Sequence, residues 1–379
     1  MMLVLNEDQR LLQDAARGFV SEKSPVAALR RLRDERVADG FDRALWRDMA
    51  EMGWTGILVP EEAGGLGFGF VGAGLVCEEM GRTLAASPFL STAVMAATAL
   101  SRGGSAAQKE RWLPAIARGE AIIATAVDEG RRHAPAATAL TAEASGNGFK
   151  LNGVKTMVAD GHVADAVLVA ARTAGSAGED KGISLFLVDA RAKGLETERI
   201  ATLDARGAAR LGFDDVQVTG ADVVGEVDDG LGLLEVVLGA GRAGLAAELS
   251  GNAQETFGRT VAYLRERKQF GRTIGSFQAL QHRAAQLFCE IEIVKSAVLA
   301  ALQALDDDPA GAALAVSVAK AKAASVARLA AQEAIQMHGG IGMTDAIDIG
   351  LFAKRMQVAS ELYGDADFHA DRVALARGF

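Results

Sequence analysis

Residues 265–281 read RERKQFGRTIGSFQALQ, and this stretch decides the architecture. It ends a long apolar run and opens another, so it reads as a corner between two helices. Four cations, Arg265, Arg267, Lys268 and Arg272, crowd the first helix end. Cations there meet the negative end of the helix dipole, which is one sufficient reason for them. The other reason is a phosphate grip, because a guanidinium offers forked donors that match a pair of pyrophosphate oxygens. Phe270-Gly271 supplies an apolar plate beside a flexible residue. Gln278 and Gln281 follow with amides that can hydrogen-bond a nucleotide. Both readings stay open on these residues alone.

A second punctuated corner lies at QMHGGIGMT, residues 336–344. Gln336 falls on the last helical turn, and three glycines follow within four positions. A helix end needs one such glycine for a left-handed cap, expected at Gly339-Gly340. The surplus suits a loop whose backbone N–H groups approach a ligand closely.

Working outward, three helices are expected in this half. They lie over 233–270 as one long or once-broken element, over 276–305 and over 310–340, with Leu314, Val318 and Ala321 on a common packing face. Residues 6–120 also read helical, opened by Asn6 as N-cap of NEDQRLLQDAARGFV and interrupted by a glycine-rich loop after Pro60. Between them, from about residue 121, the period shortens. FKLNGVKTMVADG alternates around an expected Asn152-Gly153 turn, and a second turn is expected in Ser-Gly-Asn-Gly at 145–148. GISLFLVDA and LGFDDVQVTGADVVGE add further strands. The order is α, β, α.

Composition agrees with a globular chain: 379 residues, 50% hydrophobic, 23% charged, and only 6 prolines. The formal charge of −9, with no basic cluster free of nearby acids, argues against a nucleic-acid surface. Cys77 and Cys289 stand far apart in apolar settings and read as buried small hydrophobes. The start MMLVLNEDQR turns acidic too early for a signal peptide, and no uncharged apolar run reaches membrane-spanning length. A cytoplasmic protein without membrane or nucleic-acid partners is the expectation.

The segments RKQFG…FQALQ and QMHGGIG, with QKERWLPAIARGE (108–120) and FDDVQV…GADVVGE (213–226), together resemble the acyl-CoA dehydrogenase family along essentially the whole chain. The resemblance implies an α+β, mostly α fold. An N-terminal helical domain (1–120) precedes a middle antiparallel β-barrel or sandwich (121–226) and a C-terminal four-helix bundle (227–379). It implies FAD as cofactor and an acyl-CoA thioester as substrate, desaturated between its α and β carbons. It also implies an oligomer, usually a dimer of dimers. Carried over, Arg267, Gln269, Phe270, Phe277, Gln278, Gln336, Gly339 and Gly340 meet the FAD diphosphate and adenosine side, much of it for a neighbouring subunit's flavin. Arg242 and Gly364 fall at the substrate. Asp365 and Asp367, in ELYGDADFH (361–369), either cap the final helix or hydrogen-bond the cofactor. A metal at this Asp-x-Asp-x-x-His is not expected.

The chemistry needs a base for the α-proton, and the family's glutamate has two known seats. Here they hold Tyr363, before Gly364, and Gly241, before Arg242. Glycine accepts no proton, and a tyrosine of ordinary pKa about 10 is a poor base near neutrality. The family's Thr-Glu-Pro-x-x-Gly-Ser-Asp loop is replaced by AVDEGRRHAPA (126–136), and its Trp-Ile-Thr triplet by Met157-Val158-Ala159. The diphosphate grip is thus intact while the pocket for this chain's own flavin ring is eroded. This resembles bacterial α2β2 acyl-CoA dehydrogenases in which one chain supplies base and flavin pocket and the other completes the grip. Three alternatives stand beside that half-site reading. One is a self-sufficient enzyme with a relocated base among Asp128, Glu129, Asp160 and Asp365. Another is a non-catalytic paralogue. The third, a flavin monooxygenase of the same fold, is disfavoured by the missing ring pocket.

Overall fold

The structure is a computed structural model that describes residues 3–379. Its elements follow the α, β, α order. Helices α1 (Glu7–Lys23), α2 (Val26–Asp34), α3 (Arg43–Glu51) and α4 (Phe70–Thr83) come first. A π-helical stretch, Phe89–Ala96, then runs into α5 (Ala97–Gly103), and α6 (Ala106–Ala117) closes the series. Asn6 caps α1 as expected, its side chain accepting from the Gln9 amide while the Gln9 side chain returns to the Asn6 N–H.

Strands β1 (Ile123–Ala126), β2 (Thr141–Ser145), β3 (Gly148–Ala159), β4 (Ala166–Arg172), β5 (Ile183–Asp189), β6 (Leu195–Ala201), β7 (Gly207–Thr219) and β8 (Val223–Val224) form one sheet. Its order is β6-β7-β3-β2-β4-β5-β8, and β1 joins β4. The expected antiparallel domain is there, with one addition: β1 pairs with β4 in parallel. Every residue of β4 is buried, as the apolar run Ala166–Ala171 requires. Leu151, Val169, Phe186, Leu211 and Val216 form the centre of the core.

The expected turn at Asn152-Gly153 is not a turn. β3 runs straight through it with a register shift against β7 between Leu151 and Gly153. Gly153 sits at φ +139°, and a Cβ there would meet Leu140 Cα at 3.0 Å, so the glycine serves a bulge. The reversal falls instead at Gly146-Asn147, between paired Ser145 and Gly148, where the second turn was expected.

The C-terminal half holds α7 (Leu231–Glu266), α8 (Gln278–Asp307), α9 (Ala313–His338), α10 (Ile349–Glu361) and α11 (Ala366–Ala376). α7 is a single unbroken helix. A short hairpin, β9 (Lys268–Gln269) with β10 (Arg272–Thr273), joins it to α8. α4 and α7 cross on glycines. A Cβ on Gly81 would lie 2.1 Å from the Glu248 carbonyl oxygen, and one on Gly251 would lie 1.9 Å from that of Glu78.

Two expectations fail here. On α9 the packing face is Val316, Ala319, Ala323, Ala327, Ala330 and Ala334, while Val318 is 43% exposed. Close approach favours the alanines inside, and Val318 falls on the open side. On α8 the buried stripe runs Leu287, Ile291, Val294, Val298, and Cys289 falls off it into solvent. Among the described residues, no helix is long and apolar enough to cross a membrane.

By contacts the chain divides into two compact units. One gathers the described residues up to Arg31 with Gly74–Ala85 and Arg242–Phe379, and the other gathers Leu32–Ala73 with Ala86–Gly241.

Candidate functional site

In the helical unit, the decisive stretch folds as the β9–β10 hairpin. Phe270 (φ +52°) and Gly271 (φ +76°) form its two-residue loop, both left-handed as a primed turn requires. Phe270 is 91% exposed. Its ring meets Phe277 edge-on, with centroids 6.1 Å apart, and the Arg272 guanidinium lies 4.2 Å over the Phe277 ring. Phe277 precedes Gln278, the first residue of α8. Arg267, Gln269, Gln278 and Gln336 are exposed.

The second corner is fastened to the same helix end. Tyr263, on the last turns of α7, stacks on His338 with centroids 4.4 Å apart and donates from its hydroxyl to the His338 carbonyl at 3.4 Å. This pair links the α7–hairpin corner to the end of α9, where Gln336, Gly339 and Gly340 lie. Gly339 has the expected positive φ, +66°, but its ψ of −143° lies outside the left-handed helical region. A Cβ on Gly339 or Gly340 would meet nothing within 4 Å, so the surface in front of them is open.

Arg242, Tyr363 and Gly364 lie elsewhere in this unit, and they are buried. Arg242 is 2% exposed, and its Nε donates to the Tyr363 carbonyl at 3.0 Å. Tyr363 is a non-glycine residue at φ +58° and is 4% exposed. Gly364 follows at φ +107°, where a Cβ would strike the Phe368 ring at 2.3 Å. Lys320, from the buried face of α9, donates to the carbonyls of Ser360 (2.8 Å) and Gly364 (3.1 Å). Burial, with the neighbouring Arg242 cation, pushes its ammonium down to about 7. Asp365 is the N-cap of α11, accepting from the Phe368 amide at 2.7 Å, and Asp367 is exposed on the first turn. Sequence reading missed Lys320. Nothing in the sequence marked it, because Lys322 stands two residues on and a lysine in an alanine-rich helix reads as solvent-facing.

In the β unit, AVDEGRRHAPA folds as a loop tied to its own surroundings. Asp128 bonds His133 Nδ1 at 2.8 Å. Glu129 accepts from the amides of Ala139 and Leu140 and from Lys155 Nζ at 2.6 Å. Lys155 is fully buried, which lowers its pKa, and Glu129 opposes that shift. Met157 sits at φ +51° in the second bulge of β3 and is 40% exposed. Asp160 (φ +58°) accepts from the Ser91 hydroxyl at 2.6 Å.

Comparison with known proteins agrees with this architecture. The profiles of the acyl-CoA dehydrogenase N-terminal, middle and C-terminal domains match residues 6–120, 121–216 and 228–376. Acyl-CoA dehydrogenase FadE27 of Mycobacterium tuberculosis (strain ATCC 25618 / H37Rv) is 32% identical over 318 residues, 82% of this chain and 81% of that protein. Among solved structures, a variant of the steroid ACAD Tcur3481-Tcur3483 superposes with a TM-score of 0.88 at 32% identity, covering 98% of each chain. The ChsE4-ChsE5 complex of Mycobacterium tuberculosis gives 0.89 at 28% identity, covering 100% of each. The chain therefore belongs to the acyl-CoA dehydrogenase family, whose members are FAD-dependent flavoproteins.

Proposed function

We propose that this chain is a subunit of an FAD-dependent acyl-CoA dehydrogenase that desaturates an acyl-CoA thioester between its α and β carbons. On this reading it completes the FAD grip of a second, dehydrogenase-like chain that supplies the glutamate base. The observation that carries the proposal is the contrast between the helical corner, whose donors are open, and the β-unit loop, whose carboxylates are engaged within the chain.

Arg267, Gln269, Phe270, Gln278, Gln336 and the open Gly339-Gly340 backbone stand exposed around one helix corner. That donor set fits a diphosphate and the sugar beside it. Arg267 and Gln269 would hold phosphate oxygens, Gln278 and Gln336 would hydrogen-bond the ribose or adenine side, and Phe270 with Phe277 would flank it. Bound there, FAD supplies the acceptor for the hydride that leaves the β carbon. The β-unit loop fits a flavin ring poorly. Its two carboxylates are engaged within the chain, and Ala159 has no hydroxyl to offer.

In the alternative reading with a relocated base, each carboxylate proposed for it already accepts hydrogen bonds within the chain. Asp128 is held by His133, Glu129 by three donors, Asp160 by Ser91, and Asp365 by the Phe368 amide. Two similar solved structures are named by paired proteins, Tcur3481-Tcur3483 and ChsE4-ChsE5, which suits a two-chain assembly.

The test is co-purification with a dehydrogenase-like chain bearing the glutamate, followed by Arg267→Ala in this chain alone. A lost charge-assisted hydrogen bond of about 1.5–3 kcal/mol weakens FAD binding roughly tenfold to a hundredfold. Flavin absorbance per complex is expected to fall accordingly, and unchanged occupancy refutes the assignment.

A further inference from the structure

A buried ammonium ordinarily has a carboxylate partner, because desolvation otherwise disfavours its charge. Lys320 is fully buried, yet both of its recorded acceptors are main-chain carbonyls, Ser360 and Gly364. Arg242, buried beside it, donates to the Tyr363 carbonyl between them in sequence. Three carbonyls of one turn, 360–364, thus accept from two buried cations. The turn needs such fastening. Tyr363 holds a left-handed conformation that side chains disfavour, and Gly364 (φ +107°) leaves no room for a Cβ beside Phe368.

We infer that Lys320 is the positioning residue of the Tyr363–Gly364 turn, a proton-operated clasp that fixes the backbone carrying these two residues. The inference rests on the proposed function in one respect only, the placement of that turn at the acyl-CoA site. A protonated amine gives charge-assisted bonds to both carbonyls, and a neutral amine keeps donors but loses that assistance. The charged groups facing Lys320 are Arg242 from α7, Arg355 and Glu361 from α10, and Asp365 at the start of α11. Arg355 is itself paired with Glu248 of α7. His369 of α11 lies against the same turn, its Nε2 3.0 Å from where a Gly364 Cβ would stand. Burial and Arg242 together place the proton loss at about 7.

The sequence provides a label for the test. Tyr363-Gly364 is the single Tyr-Gly peptide in the chain. Full-length protein made with carbonyl-13C tyrosine and 15N glycine therefore shows one carbonyl-filtered amide signal, that of Gly364. Titrated from acid to alkaline pH, this signal is expected to shift with a single midpoint near 7. Lys320→Met should abolish the step, while His369→Gln should leave it in place. Lys320→Arg, charged throughout, should hold the signal at its acid-limit position. A stationary wild-type signal overturns the inference, and so does a step that survives in Lys320→Met. Should the methionine variant fail to fold, a step surviving in Lys320→Arg overturns it equally.

The measurement needs neither flavin nor substrate. It therefore stands or falls separately from flavin occupancy in Arg267→Ala.

Discussion

The Glu248–Arg355 pair allows a stringent test of how the helical unit is held. The Arg355 side chain reaches from α10 to α7 and bonds both carboxylate oxygens of Glu248 at 2.7 Å, with the two side chains 6% and 9% exposed. Removing one member of a buried pair strands the other charge and costs about 3–5 kcal/mol, whereas replacing both by apolar groups of similar volume is close to neutral or stabilising. Arg355→Met should therefore destabilise strongly, and the double variant Glu248→Met/Arg355→Met should recover most of the loss. With two compact units, a single melting temperature is a poor measure. Native-state hydrogen exchange on α7 and α10 amides is the better assay. At about 1.4 kcal/mol per tenfold change, protection should fall roughly two to four powers of ten in Arg355→Met. In the double variant it should return most of the way. The reasoning is refuted if Arg355→Met leaves protection within about threefold of wild type, or if the double variant is worse than Arg355→Met.

Glu78 on α4 is buried, and burial raises its carboxyl pKa against the opposing pull of Arg82. A raised folded-state pKa means the folded chain keeps a proton the unfolded chain releases. Stability from this group is thus lost as pH climbs above the ordinary carboxylate value. Glu78→Gln should flatten that loss and match or exceed wild-type stability at neutral pH, which hydrogen-exchange protection of the α4 amides at several pH values will check. Gly251→Ala puts a methyl 1.9 Å from the Glu78 carbonyl, backbone against backbone, and should cost about 1–3 kcal/mol by forcing α4 from α7. An alanine variant whose α4 and α7 amides keep wild-type hydrogen-exchange protection would refute that crossing.

Helices α7, α8 and α9 were legible because apolar periodicity persisted over tens of residues, whereas α10 and α11, of 13 and 11 residues, were too short to announce themselves that way. The corner at 265–281 was legible because its charges and glycines interrupt that periodicity. Asn152-Gly153 misled because an Asn-Gly dipeptide is a strong turn signal whose alternative use, a bulge in a long strand, depends on the register of β7. Cys289 misled because an apolar neighbourhood in sequence does not say which side of α8 faces the core. β1, too short to alternate, owes its place to a parallel partner distant in sequence, Ile123 lying opposite Ala166. Arg267, Phe270, Gln278 and Gln336 were nameable as candidates from side-chain chemistry and position, and their proposed place on the FAD side came from the family resemblance. Lys320 and the carbonyls it holds were not nameable, since a lysine in an alanine-rich helix ordinarily reads as solvent-facing and carbonyl direction is set by the fold.

The buried cations around the 360–364 turn are hard to explain as devices for stability. Well-packed apolar residues in place of a buried ion pair are commonly as stabilising or more so, and Lys320 has no carboxylate among its hydrogen-bond acceptors. Desolvation already pushes its proton toward release, so below about pH 7 the fold carries the full cost of the buried charge. As the pH rises from there toward the ordinary lysine value, that cost is relieved, and stability from this group should rise. Directional bonding accounts for the cluster better. Apolar packing sets a turn's distance from its neighbours, but only donors can dictate where the carbonyls of Ser360, Tyr363 and Gly364 point. On the proposed assignment of this turn to the acyl-CoA site, what Tyr363 and Gly364 contribute is a fixed backbone. The side chains that fix it are Lys320 and Arg242.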